Sequence, residues 1–349
     1  MTFEREMIVT SADGNTKLRA AVIGAGHMGR HHVRIYSELP DTQLVAIIDT
    51  DLARASELAE KYQTKACAAA SEIIDQVDIV TIAVPTVAHL KVAQPFIEAG
   101  KAVLIEKPLA FSVDEAREIV RLAEKHHTLV QVGHSERFNP VVRAMQRMGI
   151  VPRFIESQRI SPFTFRSADI GVVMDMMIHD IDIVLSLTGQ PVVSVDAVGV
   201  SVLSSHEDIA NARLTFADGC VANLTASRLA LKTERKIRVF SNEAYLNLDY
   251  QRRTGLAIKK DTNADVLKVA RERNIQDLAE LAGFDYSKLV KVEPLVIADE
   301  EPLRAEVLAF IAAVRNNTEP AVSAKDGLAA VETADRIVQS IKEHNWQLT

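Results

Sequence analysis

The sequence predicts a two-part α/β protein, with a parallel sheet wrapped by helices in its first half and a mostly antiparallel sheet in its second. Three observations carry this. Residues 18–133 alternate short β-rich runs with amphipathic helical stretches, the pattern of strand–helix–strand units. The strands of that half are nearly continuous apolar runs, which suits strands covered by helices on both faces. After Gly133, extended runs follow one another with few helices between them, and tight-turn pairs separate several of them.

In order, Leu18–Ile23 is an apolar strand ending in glycines, followed by a helical segment to about Leu39 and a second strand, Leu44–Asp49. Leu52, Ala55, Ala59 and Tyr62 share one face of the helix Leu52–Tyr62. Strands recur at Ile79–Val84, Ala102–Ile105 and Thr128–Val132. Ser112 and Glu115 have the spacing of a capping box opening a helix that runs to about Lys125. The second half shows extended runs at Arg153–Ile160, Val192–Leu203, Ala210–Phe216, Cys220–Arg228, Lys236–Phe240 and Tyr245–Tyr250, with hairpin turns at Asp218-Gly219 and Ser241-Asn242. Two amphipathic helices close the chain. Leu303, Val307, Phe310 and Val314 form the stripe of one, and Leu328, Val331, Val338 and Ile341 that of the other. Residues 261–300 receive no role.

The 349 residues suffice for about two domains, read as a polar extension over 1–17, a nucleotide-binding domain over 18–133 and a substrate-binding and oligomerisation domain over 134–349. A hydrophobic share of 48% with 25% charged residues fits a well-cored protein. No apolar run approaches the ~20 residues of a membrane helix, and the N-terminus lacks an apolar signal core. Two cysteines build neither a disulfide framework nor a four-ligand zinc site. The expected compartment is therefore the reducing cytoplasm, with no membrane partner. A net charge of −7 disfavours nucleic acid.

Gly24-Ala25-Gly26-His27-Met28-Gly29 is a G-x-G-x-x-G placed after a strand and before a helix. Asp49 falls at the end of the second strand, 20 residues past Gly29, and that spacing turns a weak pattern into a dinucleotide fingerprint. Gly24 serves the tight turn, Gly26 the approach of a pyrophosphate, and Gly29 close packing of helix on strand. A carboxylate at Asp49 accepts from ribose hydroxyls and repels a 2′-phosphate, favouring NAD, although the nearby Arg54 keeps NADP open. His27 and His31 share a helical face, but no carboxylate or thiol stands at ligand spacing, so no metal is expected.

Asp175, His179 and Asp182 stand at i, i+4 and i+7 of a predicted helix whose remaining surface is apolar. An imidazole with a carboxylate one turn away is a general base with an orienting partner. A satisfied structural Asp–His pair reads the same way. Glu106-Lys107-Pro108 ends the strand Ala102–Ile105, at the edge where open α/β sheets bind ligands. Lys107 there suits a developing alkoxide, a solvated strand-end lysine being the alternative, and Pro108 is a candidate cis proline.

Together these residues resemble the glucose-fructose oxidoreductase/inositol dehydrogenase/MocA family. The matches are GAGHMG, Asp49, Pro85 with His89, AGKAVLIEKPLA (Ala99–Ala110), GHSERFNP (Gly133–Pro140) and Asp175, His179 and Asp182. Met177 stands where the family usually has glycine, and Thr86 where asparagine is frequent. The resemblance implies an N-terminal Rossmann domain, a C-terminal α/β domain with a large, mostly antiparallel sheet, and a homodimer or homotetramer formed through that sheet's open face. It implies hydride transfer between NAD and a sugar or cyclitol carbinol, with His179 as base, Asp175 orienting it and Lys107 on the reacting oxygen. Glu106 and Pro85 then line the nicotinamide end, and His27, Met28 and His89 complete the cofactor set.

GHSERFNP, followed by RISPF and DIGVVMDMMIHDID, is most similar to the branch whose members oxidise the 3-hydroxyl of UDP-N-acetylglucosamine. Between Arg137 and Arg166 there are six arginines, no lysine and one acid, Glu156. Arginine suits bidentate phosphate recognition, so Arg137, Arg159 and Arg166 are expected on a substrate diphosphate, with Asn139 and Asp182 completing the substrate set. The alternatives are an inositol or free-sugar dehydrogenase of the same family and a non-catalytic dinucleotide-binding regulator.

Overall fold

The computed structural model describes residues 17–164, 170–260 and 290–344. The chain divides into two compact units, one made of the residues up to Phe138 with Glu301–Asp335, the other of Asn139–Glu300 with the residues from Arg336 onward.

In the first unit, strands Leu18–Ile23 (β1), Thr42–Ile48 (β2), Lys65–Cys67 (β3), Ile79–Ile82 (β4), Ala102–Glu106 (β5) and Val130–Gly133 (β6) form one parallel sheet in the order β3-β2-β1-β4-β5-β6. The order reverses between β1 and β4, and in such sheets the ligand crevice lies beyond the carboxyl ends of the strands at that reversal. Helices His27–Glu38 (α1), Leu52–Lys61 (α2), His89–Glu98 (α3) and Val113–His126 (α4) make the crossovers. The Ser112 hydroxyl accepts from the Glu115 amide at 3.2 Å to start α4. The Glu115 carboxylate takes its return bond from the Phe111 amide, one residue before the expected Ser112.

The division at 133/134 placed both closing helices with the second half. The helix Pro302–Asn316 (α7) instead packs into the first unit: Leu303, Val307, Phe310 and Ile311 share a core with Val22, Val33, Tyr36, Ile47, Ile79 and Leu104. Each such side chain contributes about 1.5–3 kcal/mol by leaving water. The Leu303/Val307/Phe310 stripe is legible in sequence, but which sheet it meets is not.

The second unit holds helix Pro140–Arg147 (α5), strand Phe154–Ile160 (β7), a π-helical turn at Val173–Met177 and helix Ile178–Thr188 (α6). Seven strands follow: Val192–Val200 (β8), Ile209–Phe216 (β9), Val221–Ser227 (β10), Glu234–Phe240 (β11), Ala244–Asp249 (β12), Thr254–Lys260 (β13) and Val290–Pro294 (β14). They join β7 in an eight-stranded sheet, order β14-β13-β12-β11-β7-β10-β9-β8, antiparallel except where β7 meets β10. The turns expected at Gly219 (φ +84°) and Ser241 join β9 to β10 and β11 to β12. Strand β14 lies in the charged run 261–300 that received no role, and β13 was not read as a strand; Lys259 on β13 reaches Glu293 on β14 at 3.0 Å. The closing helix Ala324–Glu343 (α8) begins in the first unit and ends in the second. Among the described residues no helix is long and apolar enough to cross a membrane.

Candidate active site

At the carboxyl end of β1, Gly24 has φ +100°, and a Cβ on it would fall 2.4 Å from the Ala83 carbonyl oxygen. A Cβ on Gly29 would lie 1.7 Å from the carbonyl oxygen of Gly24, so α1 packs on the turn only because both are glycine. A Cβ on Gly26 would meet nothing within 4 Å; that side of the loop is open. Helix α1 has neither a side-chain cap nor an acid in its first turn, leaving its N–H groups and positive dipole end to a ligand. Asp49 Oδ2 accepts from the Ala25 amide at 2.7 Å, and Oδ1 from the Asp51 amide at 2.9 Å. The loop, the bare helix end and the half-hidden carboxylate together suit a dinucleotide's pyrophosphate and adjoining ribose. Arg54 lies 3.8 Å from Asp49 and 3.0 Å from Asp51, its charge shared between two acids. His27 is exposed, whereas half-buried Met28, expected on the cofactor, packs against the core of the first unit. The rings of His27 and His31 meet edge-on at 5.2 Å, and burial together with the charges of His27, Arg34 and Arg30 pushes the His31 pKa down. Among the described residues no group of three or more histidine, cysteine or acidic side chains could hold a metal.

Strand β5 ends in a buried Glu106, followed by a half-buried Lys107 and a cis Lys107–Pro108 bond. His32, on the inner face of α1, points its Nε2 at Glu106 Oε1 over 2.7 Å. His89, expected on the cofactor, is buried among main-chain carbonyls. Its Nδ1 lies 3.0 Å from the Pro108 oxygen and its Nε2 3.1 Å from that of Val84. Burial pushes its pKa down against the pull of these carbonyls. Its imidazole therefore ties the β4 exit to the Lys107–Pro108 loop instead of facing a ligand, while Pro85 is exposed just ahead of it.

In the second unit, Asp175 sits inside the π turn and His179 on the first turn of α6, so the expected unbroken α-helical face is interrupted. Single π turns are often found at functional sites, because the extra residue re-aims the side chains before it. Asp175 and His179 are half-exposed, whereas Asp182 is 1% exposed, a buried carboxylate on α6 and not the substrate-facing group expected. Met177, which stands where the family usually has glycine, is fully buried in the core.

Three charged side chains hold α6 and the chain that leads into it. Arg159, on the inward row of β7, bonds both Asp180 oxygens at 2.9 and 3.0 Å, and both side chains are 3% exposed. The guanidinium, expected on a substrate phosphate, is buried in this pair with α6. Glu207 reaches the start of the π turn, its carbonyl accepting from the Val172 amide at 3.0 Å and its carboxylate from the Val173 amide at 3.2 Å. Arg228 donates to the Ile170 carbonyl at 2.8 Å and to buried Asp208 at 2.7 Å. Sequence reading missed Asp180, Glu207, Asp208 and Arg228. Only Asp180, an acid in the largely apolar helix α6, carried a local signal.

The other arginines divide. Arg143 pairs with Glu300 at 3.0 Å, while Arg147 and Arg153 are exposed. Arg137 belongs to the first unit, 11% exposed and 4.0 Å from Asp326. Arg166 lies outside the described residues. Asn139, expected on substrate, caps α5, accepting from the Val141 amide at 3.1 Å.

Two family models match the chain. One, described as an oxidoreductase family with an NAD-binding Rossmann fold, covers residues 18–134; the other, the GFO/IDH/MocA C-terminal domain, covers 152–247. The UDP-N-acetylglucosamine 3-dehydrogenase of Acidithiobacillus ferrooxidans is 37% identical over 238 residues, 68% of this chain and 75% of that one. A solved structure of that bacterium's enzyme superposes with a TM-score of 0.84 at 30% identity, covering 93% of this chain and 98% of the other. The inositol 2-dehydrogenase of Rhizobium meliloti is 28% identical over 338 residues, 93% of this chain and 97% of its own.

Proposed function

The chain belongs to the GFO/IDH/MocA family of oxidoreductases, with an NAD-binding type of Rossmann domain, and on that premise we propose that it oxidises the 3-hydroxyl of UDP-N-acetylglucosamine to a ketone, NAD being reduced to NADH with release of a proton. The observation that carries the substrate is the relative of that activity, 37% identical across three quarters of its own length. Arg137 and Arg166 are the arginines left to meet the diphosphate. The open side of Gly26 and the bare start of α1 hold the cofactor's pyrophosphate, and Asp49 holds the hydroxyls of its adenosine ribose. Asp49 favours NAD over NADP because a 2′-phosphate would face its carboxylate. When bound, the nicotinamide supplies the hydride acceptor. The Lys107 ammonium donates to the substrate hydroxyl and offsets charge on the developing alkoxide. His179 takes the hydroxyl proton, and Asp175, four residues earlier, orients its ring and stabilises the charge it gains. Copies of the chain associate through the outward face of the second sheet.

A cyclitol substrate is the second reading, favoured by the inositol dehydrogenase match over nearly the whole chain. NADH formation from UDP-N-acetylglucosamine, free N-acetylglucosamine and myo-inositol separates them. The nucleotide sugar is expected to lead in kcat/KM by roughly 100-fold, about 2.7 kcal/mol of differential transition-state binding. Equal rates for the free sugar would end the nucleotide-sugar reading, and a lead for inositol would install the second.

A further inference from the structure

We propose that His32 is a positioning residue for the Glu106 carboxylate, so that the helix opening at the dinucleotide loop sets the nicotinamide half of the cofactor site. The inference rests on the reading of this sheet edge as a dinucleotide site, but on no choice of substrate.

His32 is 0% exposed on α1, and its partner Glu106 is 74 residues away on β5, beyond β4 in the sheet. The ring carries its proton on Nε2, the nitrogen facing the carboxylate. Its Nδ1 is buried without a hydrogen-bond partner among the described residues, so a proton there would be an unmet donor. Oε1 of Glu106 is thus held by His32. A Cβ at Gly133 would fall 3.1 Å from Oε2 and 3.0 Å from the Glu106 Cα, so bare backbone alone fits beside that second oxygen. The carboxylate has one orientation, held by His32 and bounded by Gly133.

Burying an imidazole and a carboxylate together costs more than burying apolar side chains of the same volume. The sheet order suggests what this arrangement serves. Asp49 follows β2, on one side of the reversal between β1 and β4, and Glu106 ends β5 on the other. A dinucleotide laid across the reversal with its adenosine ribose at Asp49 extends its nicotinamide half toward Glu106. His32 is then the link by which α1, whose first turn meets the phosphates, also fixes the group at the far half, next to Lys107.

Binding titrations of the full chain test this with two probes. NAD reaches both halves of the site, whereas ADP reaches only the Asp49 half. His32→Leu is expected to weaken NAD roughly tenfold, the value of one charge-assisted hydrogen bond, and to leave ADP within about twofold. His32→Gln, whose amide can donate from the place of Nε2, is expected to keep NAD within about threefold. Glu106→Gln should weaken NAD as His32→Leu does, and the double variant should be no weaker than either single one. An equal loss for NAD and ADP, or additive losses in the double variant, would make His32 a core residue only and overturn the proposal. Unchanged NAD binding in every variant would overturn it as well. Should His32→Leu fail to fold, His32→Gln and Glu106→Gln decide the matter. A wild type that binds NAD but does not oxidise UDP-N-acetylglucosamine would sink the substrate reading and leave this one standing.

Discussion

Asp49 serves the protein and the ligand with the same two oxygens. They accept from the Ala25 and Asp51 amides, so Asp49→Asn would turn an amide NH2 toward one of those donors and loosen the glycine loop for any cofactor. Affinity alone therefore misreports its charge, and the ratio does not. We expect Asp49→Asn to weaken NAD about tenfold while shifting the NAD-to-NADP preference toward NADP by about 100-fold, read as the ratio of dissociation constants. Retention of the wild-type ratio would remove Asp49 from cofactor choice. This residue was legible because its signal is local: three glycines and an acid at fixed spacing in one strand–helix–strand unit. Arg159 was not. Its partner Asp180 is 21 residues away, and only the pleat of β7, which turns alternate residues toward α6, makes them neighbours. His89 was legible as part of a motif but not in its task, since three carbonyl oxygens from two loops surround it and none is visible in sequence.

Between Gly171 and Ile178 the chain enters α6 through a turn that composition does not announce; a run of methionines and valines with one acid reads as ordinary helix. The π turn is held from outside by Glu207, whose Oε1 would lie 2.0 Å from a Cβ at Gly171. Because the clash is with the end of a flexible side chain, Gly171→Ala should displace Glu207 without unfolding the unit. We expect a loss of about 1 kcal/mol in stability and a several-fold fall in kcat with KM little changed. Combining it with Glu207→Ala should add nothing, as measured by a double-mutant cycle. Additive losses would mean that the two residues act separately. The neighbouring loop has its own lock. Burial alone would raise the Asp208 pKa, but the Leu203 and Val202 amides, Arg228 and Ser204 hold it far below the usual carboxylate range. A carboxylate lowered on folding stabilises the fold fully above its unfolded pKa near 4, and that contribution drains away as pH falls below it. Asp208→Asn, which leaves Arg228 buried without its counter-charge, should cost about 3–5 kcal/mol at neutral pH. The melting-temperature gap to wild type should narrow between pH 5 and pH 2, whereas a constant gap would contradict the ionic account.

At the scale of the whole molecule, five strands of the first sheet were readable because parallel strands buried on both faces are written as apolar runs; the short edge strand β3, Lys65–Cys67, carries no such run and was not. The second was readable only as far as β12, where one-sided strands still alternate. Its outward face alternates with the row that packs α6: Glu156 and Gln158 point out where Arg159 points in. That face carries an aromatic row in which Phe154 and Phe240 lie 5.5 Å apart, and Phe240 and Tyr245 stack at 4.7 Å. If copies associate there, Phe240→Glu should lower the solution mass by light scattering toward that of a single chain, and an unchanged multimer would place the contact elsewhere. The assignment of α7 was beyond the sequence, since an apolar stripe does not name its partner. Its docking has a consequence for biosynthesis. The nucleotide-binding half emerges first from the ribosome, yet four of its core side chains are encoded more than 160 codons later. The nascent half therefore waits with an open apolar groove until α7 has been made, a window in which a chaperone has something to hold.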